Sequence, residues 1–102
     1  MTTPSPDSDQ ARVVFTCKAP EATAVRLAGT FNDWNAEVTS LSYEGAGEWT
    51  VWLMLASGRY KYRFVVDGVW RHDPRAAANE PNPYGGLDSL IVVKSEARAD
   101  FL

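Results

Sequence analysis

Residues 59–68 read RYKYRFVVDG, and this stretch decides the fold class. Its bulky apolar side chains occupy every second position, which is the period of a β-strand that buries one face; they are Tyr60, Tyr62, Phe64 and Val66. An Asp-Gly pair follows at 67–68, and such a pair between apolar residues is typical of a tight hairpin turn because the turn needs positive φ. The stretch therefore predicts a half-buried strand that reverses direction at its end.

Four further runs lie on either side of this strand. Residues 12–18 and 24–29 alternate before it, and residues 48–55 place four apolar side chains on one face, namely Trp49, Val51, Leu53 and Leu55. Residues 89–94 show little polar alternation, which predicts a central strand. Turn-forming residues separate the runs at 19–21, 44–47 and 56–58. About six or seven short strands predict an all-β antiparallel β-sandwich, with a barrel of the same strands as the alternative.

The composition is that of one globular domain. The chain has 102 residues, 45% of them hydrophobic and 23% charged, and domains most often contain roughly 100–150 residues. Residues 1–11 predict a disordered leader because they are rich in Pro, Ser, Thr and Asp, residues 12–94 form the predicted β-sandwich module, and residues 95–102 predict a C-terminal tail. A (β/α)₈ barrel enzyme is excluded, because that fold needs at least about 200 residues.

Charge and hydropathy exclude two classes of partner. Ten Lys and Arg are set against thirteen Asp and Glu, for a net charge of −3, and residues 12–94 carry nine of each sign. A neutral body without a basic cluster argues against nucleic acid. No apolar run approaches the roughly 18 residues of a membrane span, and residues 1–7 lack the basic and apolar regions of a secretory signal. The sequence therefore predicts a cytoplasmic protein that binds neither nucleic acid nor membrane.

The single cysteine and the single histidine predict no reactive site. Cys17 alone excludes an intramolecular disulfide and a thiolate zinc site. It shares strand parity with Val13 and Phe15, which predicts a reduced thiol on a core face. A nucleophilic Cys17 would need a base, and nothing in the sequence places His72 beside it.

Carboxylates are plentiful, but their positions have simpler explanations than catalysis. A glycosidase needs two carboxylates that flank the bond, whereas Asp67 is explained by its turn and Asp73 by the proline that follows it. No phosphate loop, metal-binding cluster or nucleophile elbow occurs in the sequence. The sequence predicts a non-catalytic protein with no cofactor and no metal.

The four tryptophans fall into two groups. Trp49 shares a face with the apolar residues of its strand and is predicted to lie in the core, whereas Trp52 faces the opposite way. Trp34 lies in the polar segment 29–35, and Trp70 lies just after the predicted tight turn. A tryptophan in a polar loop either covers an edge of the core or presents its ring to a ligand, and context leaves both interpretations open.

A flat exposed indole suits a sugar, because the axial C–H bonds of glucose rest on its electron-rich face. Arg63 is exposed by parity and can donate to hydroxyl groups, although a solvated sheet face is the simpler explanation when Arg63 and Lys61 are taken alone. The connection from 73 to 87 is rich in Pro and Gly, which predicts a long irregular loop. Tyr84 is expected on an exposed turn of this loop, and Asp88 follows just before the last strand.

Taken in order, these segments resemble a known family. The series is GTFNDW at 29–34, GEW at 47–49, GRYKYRFVVDGVWRHDP at 58–74 and NPYGGLDSLIVV at 82–93. It is similar to the glycogen-binding module of AMP-activated protein kinase β subunits, which is a carbohydrate-binding module of family 48. The same early-set module precedes the barrel in glycogen branching enzymes and isoamylases. The resemblance covers residues 12–94 and implies an immunoglobulin-like sandwich that binds α-1,4-glucans without cleaving them.

The resemblance also implies five sugar-binding residues. Trp34 and Trp70 fall at the two stacking platforms, and Arg63 falls where the kinase module has a Lys that donates to sugar hydroxyls. Tyr84 replaces a Leu of that module, and Asp88 replaces an Asn, so an amide donor gives way to acceptors. The implied partners are α-glucan polysaccharide or maltooligosaccharide and a glycogen-metabolising enzyme or kinase. The alternative is a protein-interaction sandwich with a degraded sugar site, as in several barrel-linked copies of the module.

Overall fold

Short β-strands account for most of the fold in the computed structural model, which describes residues 10–94. Two 3₁₀ turns, Thr30–Asn32 and Ala36–Val38, lie between the second and third strands. No helix in this range is long and apolar enough to cross a membrane. The strands are β1 (Gln10–Lys18), β2 (Val25–Gly29), β3 (Ser42–Gly45), β4 (Glu48–Ala56), β5 (Gly58–Val66), β6 (Val69–Arg71), β7 (Ala78–Pro81) and β8 (Leu87–Val93).

The strands form two antiparallel sheets. The smaller sheet has the order β1-β4-β3, and the larger sheet has the order β2-β5-β8-β7 with β6 as a further partner of β5. β8 lies between β5 and β7, which confirms the predicted central position of the last strand. The all-β immunoglobulin-like antiparallel β-sandwich is confirmed. The barrel alternative is wrong, because the described strands divide into two separate sheets.

The core lies between the sheets and includes the alternating apolar residues of β4 and β5. Phe64 and Leu27 of the larger sheet expose 1% and 0% of their surface. Phe15 of the smaller sheet meets Tyr62 edge-on, with 5.0 Å between the ring centroids. The predicted inward face of β4 is confirmed, because its four residues belong to the core or pack against it: Trp49, Val51, Leu53 and Leu55.

The two tryptophans of β4 lie on opposite faces, as predicted. Trp49 packs against the core, and its Nε1–H donates to a backbone carbonyl of the β1–β2 connection at 2.9 Å. Trp52 exposes 52% of its surface on the outer face of the smaller sheet, beside exposed Val14 and Met54. The guanidinium carbon of Arg12 lies 4.6 Å from the centroid of the Trp52 ring, which is a cation–π distance.

The turn after β5 is the predicted tight turn, and its aspartate has a second role. Asp67 and Gly68 have φ values of 49° and 84°, and type I′ hairpin turns need positive φ at both positions. Asp67 Oδ1 also accepts hydrogen bonds from the backbone N–H groups of Thr23 and Ala24, at 2.8 and 2.9 Å. This side chain therefore ties the start of β2 to the end of β5.

A buried polar network links β5 to the loop after β6. The Tyr62 hydroxyl donates to Asp73 Oδ2 at 2.6 Å, the Asp73 N–H donates to Ser89 Oγ at 2.7 Å, and Ser89 Oγ–H donates to Asn79 Oδ1 at 2.6 Å. Burial, and then the adjacent Asp73 carboxylate, raises the pKa of Tyr62, so its hydroxyl stays protonated and donates. The explanation of Asp73 by the following proline is therefore incomplete, because its carboxylate is a buried acceptor.

Two predicted boundaries need correction. β1 begins at Gln10 instead of residue 12, and Ala11 is buried because its small side chain packs in the core. The loop predicted from 73 to 87 contains β7, in which Pro81 is tolerated because it ends an edge strand. Most of the predicted leader and the whole predicted tail lie outside the described residues, so those two assignments stay predictions.

Tyr62→Phe should lower the free energy of unfolding by about 2 kcal/mol, because it removes a buried donor from the Asp73 carboxylate. Tyr60→Phe is the matched control, since Tyr60 lies on the same face of β5 and its hydroxyl donates to an exposed carbonyl, that of Ala56. The control should lose less than about 1 kcal/mol. Urea unfolding curves measure both variants, and equal losses would contradict a special role for the buried bond.

Candidate functional site

The candidate site begins at an edge of β5 where that strand changes partner. β8 pairs with Gly58–Tyr62 of β5, and β6 pairs with Phe64–Val66 along the same edge, so Arg63 lies between the two pairings. The outer face of the larger sheet carries a cleft of about 520 Å³ at this point. Its lining brings together all five residues that sequence analysis assigned to a site: Trp34, Arg63, Trp70, Tyr84 and Asp88.

Trp34 is held by the loop that follows β2. Its N–H donates to the Gly29 carbonyl at 2.8 Å, and the Asn32 side chain accepts from the Gly29 N–H and donates to the Leu27 carbonyl, both at 3.0 Å. Asp33 and Trp34 have φ values of 56° and 60°, which costs on the order of 1–3 kcal/mol for each non-glycine residue. The hydrogen bonds of the loop offset that cost and keep Trp34 in the lining of the cleft.

Gly29 is required where this loop leaves β2. A Cβ at Gly29 would lie 2.6 Å from the Lys61 carbonyl oxygen and 2.7 Å from the Phe31 ring. Real side chains do not approach backbone so closely, so only glycine allows the loop to pass this near to β5. That close approach fixes the position of the loop backbone that leads to Trp34.

Trp34 and Trp70 both present surface to the cleft. Trp70 lies on β6 opposite Val65 and exposes 41% of its surface, whereas Trp34 is half-buried. Within residues 10–94, neither ring belongs to the core cluster or packs against it. Of the two interpretations that the sequence left open, the structure therefore favours rings presented to a ligand over rings that cover a core edge.

Arg63 is half-buried, although its parity predicts an exposed side chain. Its guanidinium carbon lies 5.9 Å from the centroid of the Trp70 ring, and a Cβ on Gly86 would be only 3.2 Å from its Nη2. The side chain is thus enclosed by β6 on one side and by the backbone at Gly86 on the other. Its Nε is buried and has no hydrogen-bond partner among the described residues, which leaves an unused donor beside the cleft.

Tyr84 projects from a turn that is built around Asn82. Asn82 Oδ1 accepts from the N–H groups of Tyr84 and Gly86, at 2.9 and 3.0 Å, and Gly85 supplies the positive φ of 88° that the turn needs. Tyr84 exposes 92% of its surface, as predicted. A phenol ring on a backbone held in one conformation can stack on a flat ligand with little loss of conformational entropy.

Asp88 supports this turn and lines the cleft at the same time. Its side chain lies at 9% exposure, and its Oδ1 accepts from Asn82 Nδ2 at 3.1 Å. The other oxygen, Oδ2, has no donor in the described range and is the atom through which Asp88 can accept from a ligand.

Four other lining residues had no predicted role in a site: Thr30, Lys61, Asn82 and Pro83. Lys61 Nζ lies 2.8 Å from Glu80 Oε2, and this hydrogen-bonded ion pair raises the pKa of Lys61 and lowers the pKa of Glu80. The pair was not predictable, because it joins β5 to β7 across β8. Asn82 had a local signal, since an Asn before Pro-Tyr-Gly-Gly favours an Asx turn.

The cleft is close to electrically neutral. Lys61 is paired with Glu80, and the remaining lining holds one charge of each sign, Arg63 and Asp88. Three aromatic side chains and a few convergent polar atoms form the rest of the surface that a ligand would meet. Such a lining favours a neutral ligand rich in hydroxyl groups over an ion.

Cys17 and His72 lie in the lining of a second, adjoining cleft. The sequence placed nothing near Cys17, whereas the fold brings both residues to one lining because β1 lies beside the loop after β6. Burial, and then Asp73, raises the pKa of the Cys17 thiol, so the thiolate is disfavoured at neutral pH. In the described part of the chain, no group of three or more His, Cys, Asp or Glu side chains could hold a metal ion.

A β-sandwich that presents two tryptophans and a tyrosine along an open, nearly neutral cleft has the features of a carbohydrate-binding module. Comparison with known proteins gives the particular family. The family described as "Glycogen recognition site of AMP-activated protein kinase" matches residues 11–99, and the chain belongs to this family. The resemblance inferred from the sequence is thereby confirmed.

Curated relatives are much longer than this chain. The chain is 36% identical over 90 residues to the 1,4-alpha-glucan branching enzyme GlgB of Corynebacterium jeikeium. The matched region covers 82% of this chain and 12% of that protein. It is 32% identical over 80 residues to 5'-AMP-activated protein kinase subunit beta-2 of Mus musculus, 76% of this chain and 26% of that protein. Protein FLOURY ENDOSPERM 6, chloroplastic, of Oryza sativa is 36% identical over 63 residues, 62% of this chain and 12% of that protein. The chain therefore matches one segment of each.

Among solved structures, the fold is similar to part of the maltogenic amylase from S. marinus. The TM-score is 0.71 at 24% sequence identity, over 86% of this chain and 14% of that chain. At this identity the likeness concerns the fold alone, and it supports the assignment of the sandwich.

In Asn82→Ala, the amide hydrogens of Tyr84 and Gly86 should exchange roughly tenfold faster, because both lose their shared acceptor and the turn opens more often. Asn35→Ala is the matched control, since Asn35 Oδ1 accepts from the N–H of Glu37 in a different loop. Hydrogen exchange measured by NMR tests both variants. Unchanged exchange at residues 84 and 86 would show that Asn82 does not hold the turn.

Proposed function

We propose that this domain binds α-1,4-glucans, such as glycogen, starch-like polymers and maltooligosaccharides, through the cleft on its larger sheet. The observation that carries the proposal is the placement of Trp34, Trp70 and Tyr84 along one open and nearly neutral cleft. Membership of the glycogen-recognition family supports the same ligand. One relative is named for its action on 1,4-alpha-glucan.

Stacking explains why the proposed platforms are aromatic. The C–H bonds on one face of a glucose ring carry partial positive charge and rest on the negative face of an aromatic ring. Trp34 and Trp70 would each hold one glucose unit, and Tyr84 would add a third surface at the rim of the cleft. A hydrophobic contact of this kind needs no charge on the ligand.

The polar lining would orient the sugar through its hydroxyl groups. Each hydroxyl both donates and accepts, so it needs partners of both kinds. Arg63 would supply donors, Asp88 Oδ2 an acceptor, and Thr30 either. The replacement of Asn by Asp at position 88 removes a donor from this set, and its buried contact with Asn82 keeps the carboxylate in place.

Binding without cleavage is the activity that the cleft supports. Glycoside hydrolysis uses two carboxylates that flank the scissile bond. Among residues 10–94, the lining of this cleft contains one carboxylate, that of Asp88, and its Oδ1 is already bonded within the protein.

We also propose that the domain carries a protein partner to the polymer. In the relatives, the matching segment is part of a branching enzyme or of a kinase subunit, so the proposed partner is a glycogen-metabolising enzyme or kinase. A cytoplasmic location stays a prediction, and the rice relative is named as chloroplastic. The alternative function, protein interaction without a sugar site, is favoured by the exposed group of Val14, Trp52 and Met54.

Trp34→Ala and Trp70→Ala should each weaken binding of maltoheptaose by about 2 kcal/mol, which is the scale of an aromatic hot spot. The loss follows from removal of a stacking surface. Within residues 10–94 neither ring packs against the core, so the melting temperature should change little. Calorimetric titration with maltoheptaose and thermal melts measure the two effects separately.

Trp52→Ala is the matched control for these variants, because Trp52 is an exposed tryptophan on the outer face of the other sheet. It should bind maltoheptaose as the unsubstituted domain does. Trp49→Ala should instead lower the free energy of unfolding by about 3–5 kcal/mol, because it opens a cavity beside the core. If both platform variants fold and bind normally, the glucan site does not lie in this cleft.

Salt should hardly change the affinity for neutral glucan, because an uncharged ligand releases no counterions when it binds. Between about 50 and 300 mM NaCl, the Kd for maltoheptaose should change by less than about twofold. Titrations across this range test the expectation. A steep dependence on salt would indicate an anionic ligand in this cleft and would contradict the proposal.

A further inference from the structure

The second cleft adjoins the cleft that is proposed to bind glucan, lined by Trp34, Trp70 and Tyr84 and called the glucan cleft below. The two clefts differ in charge. The second cleft has a volume of about 480 Å³ and shares Arg63 and Trp70 with its neighbour. Cys17, Phe64 and Leu87 contribute apolar surface to its lining. The volume is that of a small-molecule site, so the polar groups of the lining decide which ligand it suits.

Five basic side chains line this second cleft: Lys18, Arg63, Arg71, His72 and Arg75. The sequence shows no basic cluster, because these residues come from separate segments at 16–18, 63–64 and 70–75. Residues 12–94 carry equal numbers of positive and negative side chains. The concentration of positive charge here is therefore produced by the fold and not by the composition.

Two carboxylates oppose these charges in part. Asp73 is buried, and its oxygens accept from the Tyr62 hydroxyl and from the backbone N–H of Arg75. Glu48 Oε2 lies 2.8 Å from Arg75 Nη2 and 4.0 Å from Lys18 Nζ. Both acids are thus engaged within the protein, and Glu48 is the one that pairs with Arg75 and Lys18.

Arg63 and Arg71 are not paired with a carboxylate in the described part of the chain. In the described range neither has a carboxylate oxygen within 4.0 Å, and the buried Nε of Arg63 has no acceptor there. A guanidinium group presents N–H donors in a fork that matches two oxygens of a phosphate. Two such groups on one small cleft favour a phosphate over a neutral ligand.

We propose that the second cleft binds a phosphate monoester carried by a glucose unit next to the unit stacked on Trp70, so that the domain prefers phosphorylated to neutral α-glucan. This inference rests on the proposed glucan site, because the shared residues Arg63 and Trp70 are what place both clefts along one chain. Free inorganic phosphate offers the same chemistry to the cleft. The experiment therefore compares the two sources.

Calorimetry should compare three probes at a pH of about 7.5, where a phosphate monoester is largely dianionic: maltoheptaose, maltoheptaose with one 6-phosphate group, and inorganic phosphate. We expect the phosphorylated chain to bind roughly tenfold more tightly than the neutral chain at low salt. This advantage should shrink as NaCl is raised.

Arg71→Gln should abolish the advantage and leave the Kd for neutral maltoheptaose unchanged, since Arg71 lies outside the glucan cleft. Arg59→Gln is the matched control, because Arg59 lines neither cleft, and it should keep the advantage.

Each alternative outcome has a distinct meaning. Neutral and phosphorylated chains that bind equally would overturn this inference and leave the glucan site intact, whereas failure of both chains to bind would overturn the proposed function itself. Inorganic phosphate that binds through Arg71 while phosphate on the chain adds nothing would identify a site for the free anion and would overturn the link to glucan. Loss of the advantage in Arg59→Gln would reveal a general effect of charge and would also overturn the inference.

Discussion

Strand β5 forms backbone hydrogen bonds with three other strands, and the positions of four cleft residues follow from that arrangement: Trp34, Arg63, Trp70 and Asp88. β2 pairs along one edge of β5, while β8 and β6 divide the other edge between them and meet at Arg63. β6 then brings Trp70 to the cleft, β8 brings Asp88, and the loop after β2 brings Trp34. Arg63 lies between these two pairings, and its side chain is half-buried beside Trp70 of β6 and the backbone at Gly86, where it lines both clefts.

Two asparagines hold the loops that carry the aromatic side chains. A side-chain amide both donates and accepts, so one residue can satisfy several backbone groups that lack a strand partner. Asn32 does this beside Trp34, and Asn82 does it beneath Tyr84. The backbones that carry these aromatic side chains are therefore ordered before any ligand arrives, and binding does not have to order the loops.

Local sequence predicted the long strands and failed on the short ones for a physical reason. β4 and β5 each have nine residues, enough to show a period of two, whereas β3, β6 and β7 have three or four and show none. The five proposed site residues were found through a family resemblance, which carries spatial information that a single chain lacks. The Lys61–Glu80 pair and the basic second cleft depend on which strands become neighbours, and no local pattern records that.

The glucan cleft lies on the outer face of the larger sheet, and Tyr84 at its rim is almost fully exposed. A polysaccharide laid there would not need to be threaded in by an end, so any internal stretch of the chain could occupy the site. A large branched particle would then offer many equivalent positions, and a domain released from one stretch could be recaptured by the next before it diffuses away. Residence on the particle would be set by the number of such positions more than by the strength of one contact.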